Sequence, residues 1–178
     1  MGESMVRGTS EGLSMYSDAL IELREKLKSG RFSIGDAERL AEIKMAIKTH
    51  RRIPDSLYKE YVNVYGEILE RLAGPSYSSS LAVMVLGILH EAKRPLSYGE
   101  VKRRVEEVIG RRLDSASEFW LRLELEILSS PLNGVPLVSR RGIISTRYGL
   151  TREGEIVATF RRDDYEELKR NRGFYECP

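Results

Sequence analysis

The fold is decided by residues 81–109, which read LAVMVLGILHEAKRPLSYGEVKRRVEEVI. Their first nine residues are apolar on nearly every side of a helix, so this helix must be buried from several directions. Lys93-Arg94-Pro95 ends it, because proline cannot continue a helix. A second helix begins at Ser97, where Glu100 three residues later completes a capping box. We therefore predict a central core helix followed, after a turn, by an amphipathic helix.

A third helix follows, and it is apolar on more than one face. A second capping box, Ser115 to Glu118, marks its start. Large apolar side chains then exceed a single core-facing stripe, so this helix needs a second partner, from the N-terminal region or from another subunit. We expect Trp120 to be a core aromatic whose truncation to alanine costs about 3 to 5 kcal/mol.

Two short strands are predicted after the third helix. Residues 137–140 and 143–147 are short runs that turn at Arg141-Gly142, with β-branched residues in the second run. The segment from Arg147 to Thr151 then leads into another helix. Three helices followed by a hairpin predict a winged helix-turn-helix domain over residues 77–160.

The rest of the chain also reads as helical. Residues 1–76 contain three amphipathic helices joined by short connections, which predict a helical hairpin or bundle that serves dimerisation or partner contact. Gly74 to Ser80, rich in Gly, Pro and Ser, marks the boundary. Residues 161–178 form a charged C-terminal helical extension. The predicted fold class is mainly α: a winged helix-turn-helix domain of three helices plus a short β-hairpin, preceded by an N-terminal helical hairpin or bundle.

Composition favours a soluble, cytoplasmic protein. The 178 residues are 41% hydrophobic and 31% charged. No apolar run approaches the roughly 20 residues of a membrane span, and Met1 to Ser4 show no export signal. The single cysteine, Cys177, can form no internal disulfide, which fits a reducing cytosol. Abundant arginine and the absence of glutamine are typical of proteins that work at high temperature, so a thermophilic source is predicted.

Motifs for catalysis are missing from the sequence. It has no Walker-type phosphate loop, no Gly-x-Ser-x-Gly, no cysteine pair and no His-Glu-x-x-His. His50 and His90 are isolated from each other and from the cysteine. We expect His90, near the end of an apolar helix, to be a hydrogen-bonded structural histidine. The chain is therefore predicted not to be an enzyme, with no catalytic residue, no metal and no cofactor.

Cations cluster locally, although the predicted winged domain is nearly neutral. Residues 78–160 carry twelve Lys and Arg against ten Asp and Glu, so a nucleic-acid surface must arise from local clustering. The densest cluster lies on and just after the second helix, where a solvated face offset by Glu106 and Glu107 is the alternative. A second cluster lies on the hairpin and could contact phosphates without reading bases. The candidate DNA-binding residues are Lys102, Arg103, Arg104, Arg111, Arg112, Ser117, Arg122, Arg140, Arg141 and Arg147.

Three segments of the second half carry a family likeness: residues 86–89, 95–104 and 147–154. They comprise a first helix, a Tyr-Gly pair that opens the second helix, and Tyr-x-Leu-Thr-x-x-Gly after the wing. This part, about half of the chain, resembles the PadR-type winged-helix transcriptional regulators. In that family the pair that opens the second helix runs Gly-Tyr, whereas here it runs Tyr98-Gly99. The resemblance implies that the third helix and wing bind operator DNA, and that a terminal helix mediates dimerisation.

Two functions remain open at this point. The first is a DNA-binding winged-helix protein, a transcriptional regulator or chromosomal protein that acts as a homodimer and contacts double-stranded DNA mostly through phosphates. The alternative is a winged helix used as a protein-protein interaction module in a larger complex, with further partner contacts through the N-terminal helices. The alternative stays open because the third helix carries Glu118, Glu124 and Glu126 against the single Arg122.

Overall fold

Helices dominate the chain, and a small sheet accompanies them. The computed structural model describes residues 10–49, 53–68, 80–131 and 135–171. These residues are mainly helical and include a three-stranded antiparallel sheet, which confirms the expectation of a mainly α chain. By internal contacts the chain divides into two compact units, Met1–Ile68 and Leu69–Pro178.

The N-terminal unit contains three helices: α1 (Ser10–Lys28), α2 (Ile34–Thr49) and α3 (Asp55–Ile68). Helix α1 is followed by a glycine in the left-handed conformation, Gly30 with φ +69°, which a glycine adopts without steric cost. The buried side chains recur at spacings of three and four along the helices, as an amphipathic pattern requires. They include Leu20, Leu23, Leu40, Ile43, Leu57, Val64 and Ile68.

Reciprocal hydrogen bonds cap the start of α2. The Ser33 hydroxyl accepts from the backbone N–H of Asp36 at 3.2 Å, and Oδ2 of Asp36 accepts from the Ser33 N–H at 2.9 Å. Lys26 Nζ lies 2.9 Å from Oδ1 of the same carboxylate. Burial opposes ionisation of Asp36, but the bonds from Lys26 and Ser33 outweigh it and hold the pKa below its usual range.

The C-terminal unit is built around α4 (Ser80–Ala92), in which residues 81–89 are all buried. The all-round apolar sequence of α4 produces this position, because such a helix has no face for water. Around it the chain forms β1 (Leu96–Ser97), α5 (Tyr98–Ile109), α6 (Ser115–Ser129), β2 (Val138–Arg141), β3 (Arg147–Leu150), α7 (Arg152–Phe160) and α8 (Arg162–Arg170).

The three strands form one antiparallel sheet in the order β1-β3-β2. Tyr148 pairs with Leu96 on one side and with Arg140 on the other. The prediction of a second strand over residues 143–147 is wrong, because β3 begins at Arg147. Residues 142–146 form the loop between β2 and β3, and Ile143 and Ile144 in it are fully exposed. Burial of Tyr148 beside Leu96 fixes the register more strongly than the β-propensity of two isoleucines.

Caps define the starts of α5 and α6. The predicted box between Ser97 and Glu100 is confirmed, with both reciprocal hydrogen bonds present. The predicted cap of the next helix is wrong by one residue. Asp114, rather than Ser115, caps α6, because its Oδ1 accepts from the backbone N–H of Ser117 at 2.8 Å. Asp and Ser are equally favoured at this position, so local preference alone does not choose between them.

The predicted C-terminal extension is helical where the structure describes it. Helices α7 and α8 are separated at Arg161, and α8 runs to Arg170. Despite its charged sequence, α8 buries one large side chain, Tyr165, against α4.

Some predictions concern residues outside the described ranges: His50, the boundary at Gly74 to Ser79, and Cys177. Within the described ranges, no helix combines the length and the apolar character that crossing a membrane would require.

Candidate nucleic-acid interface

The basic run Lys102, Arg103 and Arg104 does not form one patch. Successive residues of an α-helix point about 100° apart, and on α5 the three side chains diverge. Lys102 forms an ion pair with Glu118 of α6. Arg103 is exposed, whereas Arg104 lines a small cleft whose other residues include Glu91 and Tyr165. Of the three, only Arg103 is both exposed and without a salt bridge to a described residue.

Lys102 belongs to a cluster that joins α5 to α6. The Tyr98 hydroxyl donates to Glu118 at 3.5 Å, and the Arg122 guanidinium lies 3.8 Å from the centroid of the Tyr98 ring. The hydrogen bond from Lys102 is the main reason that the pKa of Glu118 lies below its usual range. Two of the predicted DNA-binding cations, Lys102 and Arg122, thus hold two helices together.

Ser117 is buried, because it lies in the first turn of α6 on the side that faces the core. Its side chain is therefore not on the surface that a nucleic acid reaches, and we remove it from the candidate interface. Arg111 and Arg112 follow the left-handed Gly110 that ends α5. Both are exposed, and neither forms a salt bridge with a residue in the described ranges.

The three arginines of the sheet divide between its two faces. Arg140 pairs with the buried Tyr148, so its side chain leaves on the inner side and reaches Glu126 of α6, with Nη1 2.7 Å from Oε1. Arg141 and Arg147 are direct cross-strand partners on the outer face. Like charges directly opposite each other destabilise a sheet. An anion bound between these two side chains would remove that repulsion.

Neighbouring carboxylates neutralise the outer pair only in part. Arg147 approaches Glu100 at 3.7 Å, whereas the same carboxylate accepts a shorter hydrogen bond, 2.7 Å, from Arg94. The Arg94 bond, followed by the backbone N–H of Ser97, lowers the pKa of Glu100 to about 2. Arg141 forms no salt bridge with any described residue. The outer face of the sheet therefore keeps a net positive charge at this end.

Helix α6 presents aromatic rings where a groove-reading helix would present polar side chains. Phe119 is 60% exposed and Trp120 is 37% exposed, and their rings meet edge to face with centroids 5.6 Å apart. The expectation that Trp120 is a core aromatic is wrong. The buried stripe of α6 runs through Leu121, Leu125 and Leu128 and includes the polar Ser117 and Glu124.

The sequence-based prediction missed this exposed aromatic pair. The sequence of α6 nevertheless indicates an exposed apolar surface, because the helix has two apolar stripes, one through Leu121 and Leu125 and one through Phe119 and Leu123. A single domain core can cover only one of them.

His90 lies near the end of α4, half-buried, and its ring forms no hydrogen bond with a described residue. The expected hydrogen bond of this histidine is not found within the described ranges. No group of three or more potential metal ligands occurs in those ranges. Comparisons of the chain with protein-family models, with curated proteins and with solved structures gave no match.

Proposed function

We propose that residues 80–160 form a winged helix-turn-helix domain that binds double-stranded DNA through its phosphates. The order of elements supports the proposal. Helices α4, α5 and α6 precede a hairpin of β2 and β3, and the short β1 between α4 and α5 joins the sheet beside β3. This arrangement agrees with the resemblance of residues 147–154 to PadR-type regulators. In such domains the hairpin forms the wing that lies along the DNA backbone.

The opposed arginines of the sheet are the observation that carries the proposal. Arg141 and Arg147 face each other across two paired strands. Among the described residues, only the carboxylate of Glu100 forms a salt bridge with either of them, at 3.7 Å from Arg147. The paired strands hold the Cα atoms of the two arginines directly opposite each other. Arginine suits this role, because its planar fork of donors matches a phosphate in two hydrogen bonds.

Binding of this kind follows the backbone and reads few bases. The exposed side of α6 offers Phe119, Trp120 and Glu126, and its one arginine, Arg122, lies over the Tyr98 ring. Arginine and asparagine side chains free to reach base edges are what usually reads the major groove. We therefore propose contacts by Arg103, Arg111 and Arg112 in addition to Arg141 and Arg147. A transcriptional regulator of low sequence selectivity or a chromosomal protein, acting as a homodimer, fits such contacts best.

The test is a titration of a random-sequence duplex with the full chain, in which fluorescence anisotropy reports binding. Replacing Arg141 and Arg147 with alanine should weaken binding to all duplexes alike and reduce the salt-dependence slope by about one to two. The charge-matched control replaces Arg140, which is paired with Glu126, and Arg162, which is exposed on α8. Equal weakening in the control would mean that overall charge, and not the outer face of the sheet, drives binding.

A second candidate function is a protein-docking module, and the exposed aromatic pair of α6 favours it. Phe119 and Trp120 lie together on the surface, and tryptophan and other aromatic residues are enriched at the centres of protein interfaces. The two candidates differ in which variant fails. If α6 docks a protein, Trp120→Ala removes that interaction and leaves DNA binding intact, whereas Arg141→Ala with Arg147→Ala has the opposite effect.

A further inference from the structure

A cleft of the C-terminal unit lies at the back of the sheet, away from α6. It is a cleft of about 480 Å³ between the end of α4, the turn that precedes β1, the outer face of the sheet and the start of α7. Pockets that hold small molecules commonly measure roughly 300 to 1,000 Å³. The cleft therefore has the size of a small-molecule site.

The charges around the cleft are mostly positive. Lys93, Arg94 and Arg141 line it, against the single carboxylate of Glu155. Arg94 is bound to Glu100 at 2.7 Å. Lys93 and Arg141 form no salt bridge with a described residue. The half-buried His90 also lines the cleft, and its ring nitrogens form no hydrogen bond with a described residue. Two cations and an imidazole are thus free to bind an anion there.

The backbone conformation of Lys93 places one of these cations at the cleft. Its φ of +52° lies in the left-handed region, and it is the only described residue other than glycine with a positive φ. Glycine is the usual residue at this position after a helix, because side chains are strained there. The end of α4 carries a partial negative charge equivalent to roughly half an elementary charge, which is smaller than the charge of Lys93 and Arg141 together.

The remaining lining residues of the cleft include an apolar group and one carboxylate, and they indicate which chemical groups a ligand would carry besides an anion. Leu89, Pro95 and Leu150 give the cleft an apolar wall, while the Ser139 side chain lines its sheet side. The Glu155 side chain forms no salt bridge or hydrogen bond with a described residue. A free carboxylate beside two cations suits a ligand that combines an anionic group with an apolar body and a hydrogen-bond donor.

We propose that this cleft, where Lys93, Arg141 and His90 meet beside an apolar wall, binds a small organic phosphate that also carries a hydrogen-bond donor. The phosphate bridges the cations from the end of α4 and from β2. The organic part lies against Leu89 and Pro95, and its donor reaches Glu155. A nucleoside monophosphate has these three features and is of suitable size.

The experiment is calorimetric titration of the full chain, free of DNA, with adenosine monophosphate, inorganic phosphate and adenosine as probes. Adenosine monophosphate should bind more tightly than inorganic phosphate, because only the nucleotide contacts the apolar wall. Adenosine alone should bind at least about tenfold more weakly than the nucleotide, since it makes no charge-assisted hydrogen bonds. Because no DNA is present, the result does not depend on the proposed function.

The decisive variant is Lys93→Gly combined with Arg141→Ala. Glycine adopts a φ of +52° without strain, so this variant should melt no lower than the parent chain while binding the nucleotide about tenfold or more weakly. Arg103→Ala with Arg162→Ala removes the same charge from exposed positions outside the cleft and should leave affinity within about twofold. Equal binding of adenosine and its monophosphate, no binding of the nucleotide at about 10 mM, or equal weakening in both variants would overturn the proposal.

Discussion

Tyr165 on α8 lies so close to Gly87 on α4 that a β-carbon at position 87 would overlap Cγ and both Cδ atoms of the ring. The Tyr165 hydroxyl donates to Oε2 of Glu91, one turn further along α4, at 2.9 Å. The ring is thus held at both ends, and it cannot turn away from a larger residue. Glycine at position 87 permits the approach of a helix whose other residues are mostly charged.

We predict that Gly87→Ala destabilises the C-terminal unit by about 1 to 3 kcal/mol, because the overlap forces α8 away from α4. Urea denaturation followed by circular dichroism measures the change. The matched control is Gly99→Ala on α5, where an added β-carbon meets nothing within 4 Å. The control should be neutral or stabilising by up to about 1 kcal/mol. Equal stability of Gly87→Ala and the parent chain would contradict the contact.

Glu100 leads to a prediction about pH. Its carboxylate accepts from Arg94 and from the Ser97 N–H, and these bonds lower its pKa to about 2. Since the pKa in the folded state lies below that of the unfolded chain, ionised Glu100 stabilises the fold above the usual value near 4.5, and this contribution is lost as the pH falls toward 2. A carboxyl NMR titration should give this low midpoint, and Arg94→Ala should raise it. A midpoint near 4.5 in the parent chain would rule out the hydrogen-bonded arrangement.

Trp120 and its neighbour Leu121 should respond differently to truncation. The indole is 37% exposed, whereas the leucine is 1% exposed. We expect Trp120→Ala to cost about 1 to 2 kcal/mol and Leu121→Ala about 2 to 5 kcal/mol, as measured by chemical denaturation. Because Trp120 is the only tryptophan, quenching of the parent chain by acrylamide reports its exposure directly. Protection from the quencher would place the ring inside an interface.

Assembly gives a further prediction. Tyr58 and Val62 are exposed one turn apart on α3, and we propose that this apolar pair helps to join two copies of the chain. Light scattering should then give about 40 kDa, twice the chain mass of 20.3 kDa. Tyr58→Glu with Val62→Glu should give monomers, while Lys59→Glu, a charge reversal between them, should not. A monomeric parent chain would contradict the dimer, and a dimeric double variant would exclude this face of α3.

Features encoded locally could be predicted from the sequence. The buried helix α4 follows from nine consecutive apolar positions, and the start of α5 follows from a capping box whose two partners lie three residues apart. Neither depends on distant contacts.

Features that depend on distant partners could not be predicted. The start of β3 is set by Tyr148 pairing with Leu96, some fifty residues away in sequence, and this pairing leaves Ile143 and Ile144 in a loop. The orientation of α6 is ambiguous for a similar reason. Its two apolar stripes are almost equivalent in sequence, and the core selects the one that includes Glu124. Which arginines remain unpaired is likewise known only once Glu126 and Glu100 have been placed.

The salt dependence of DNA affinity tests the proposed function most directly. If two to four of the unpaired arginines contact phosphates, the slope of log affinity against log salt is about −2 to −4. The affinity of the full chain for a random duplex then falls roughly 15- to 250-fold between 50 and 200 mM salt. The outer face of the sheet, with Arg141 opposite Arg147, should account for one to two units of that slope. An affinity that does not change with salt, or no binding at 50 mM salt, would contradict the proposal that this chain binds DNA through its phosphates.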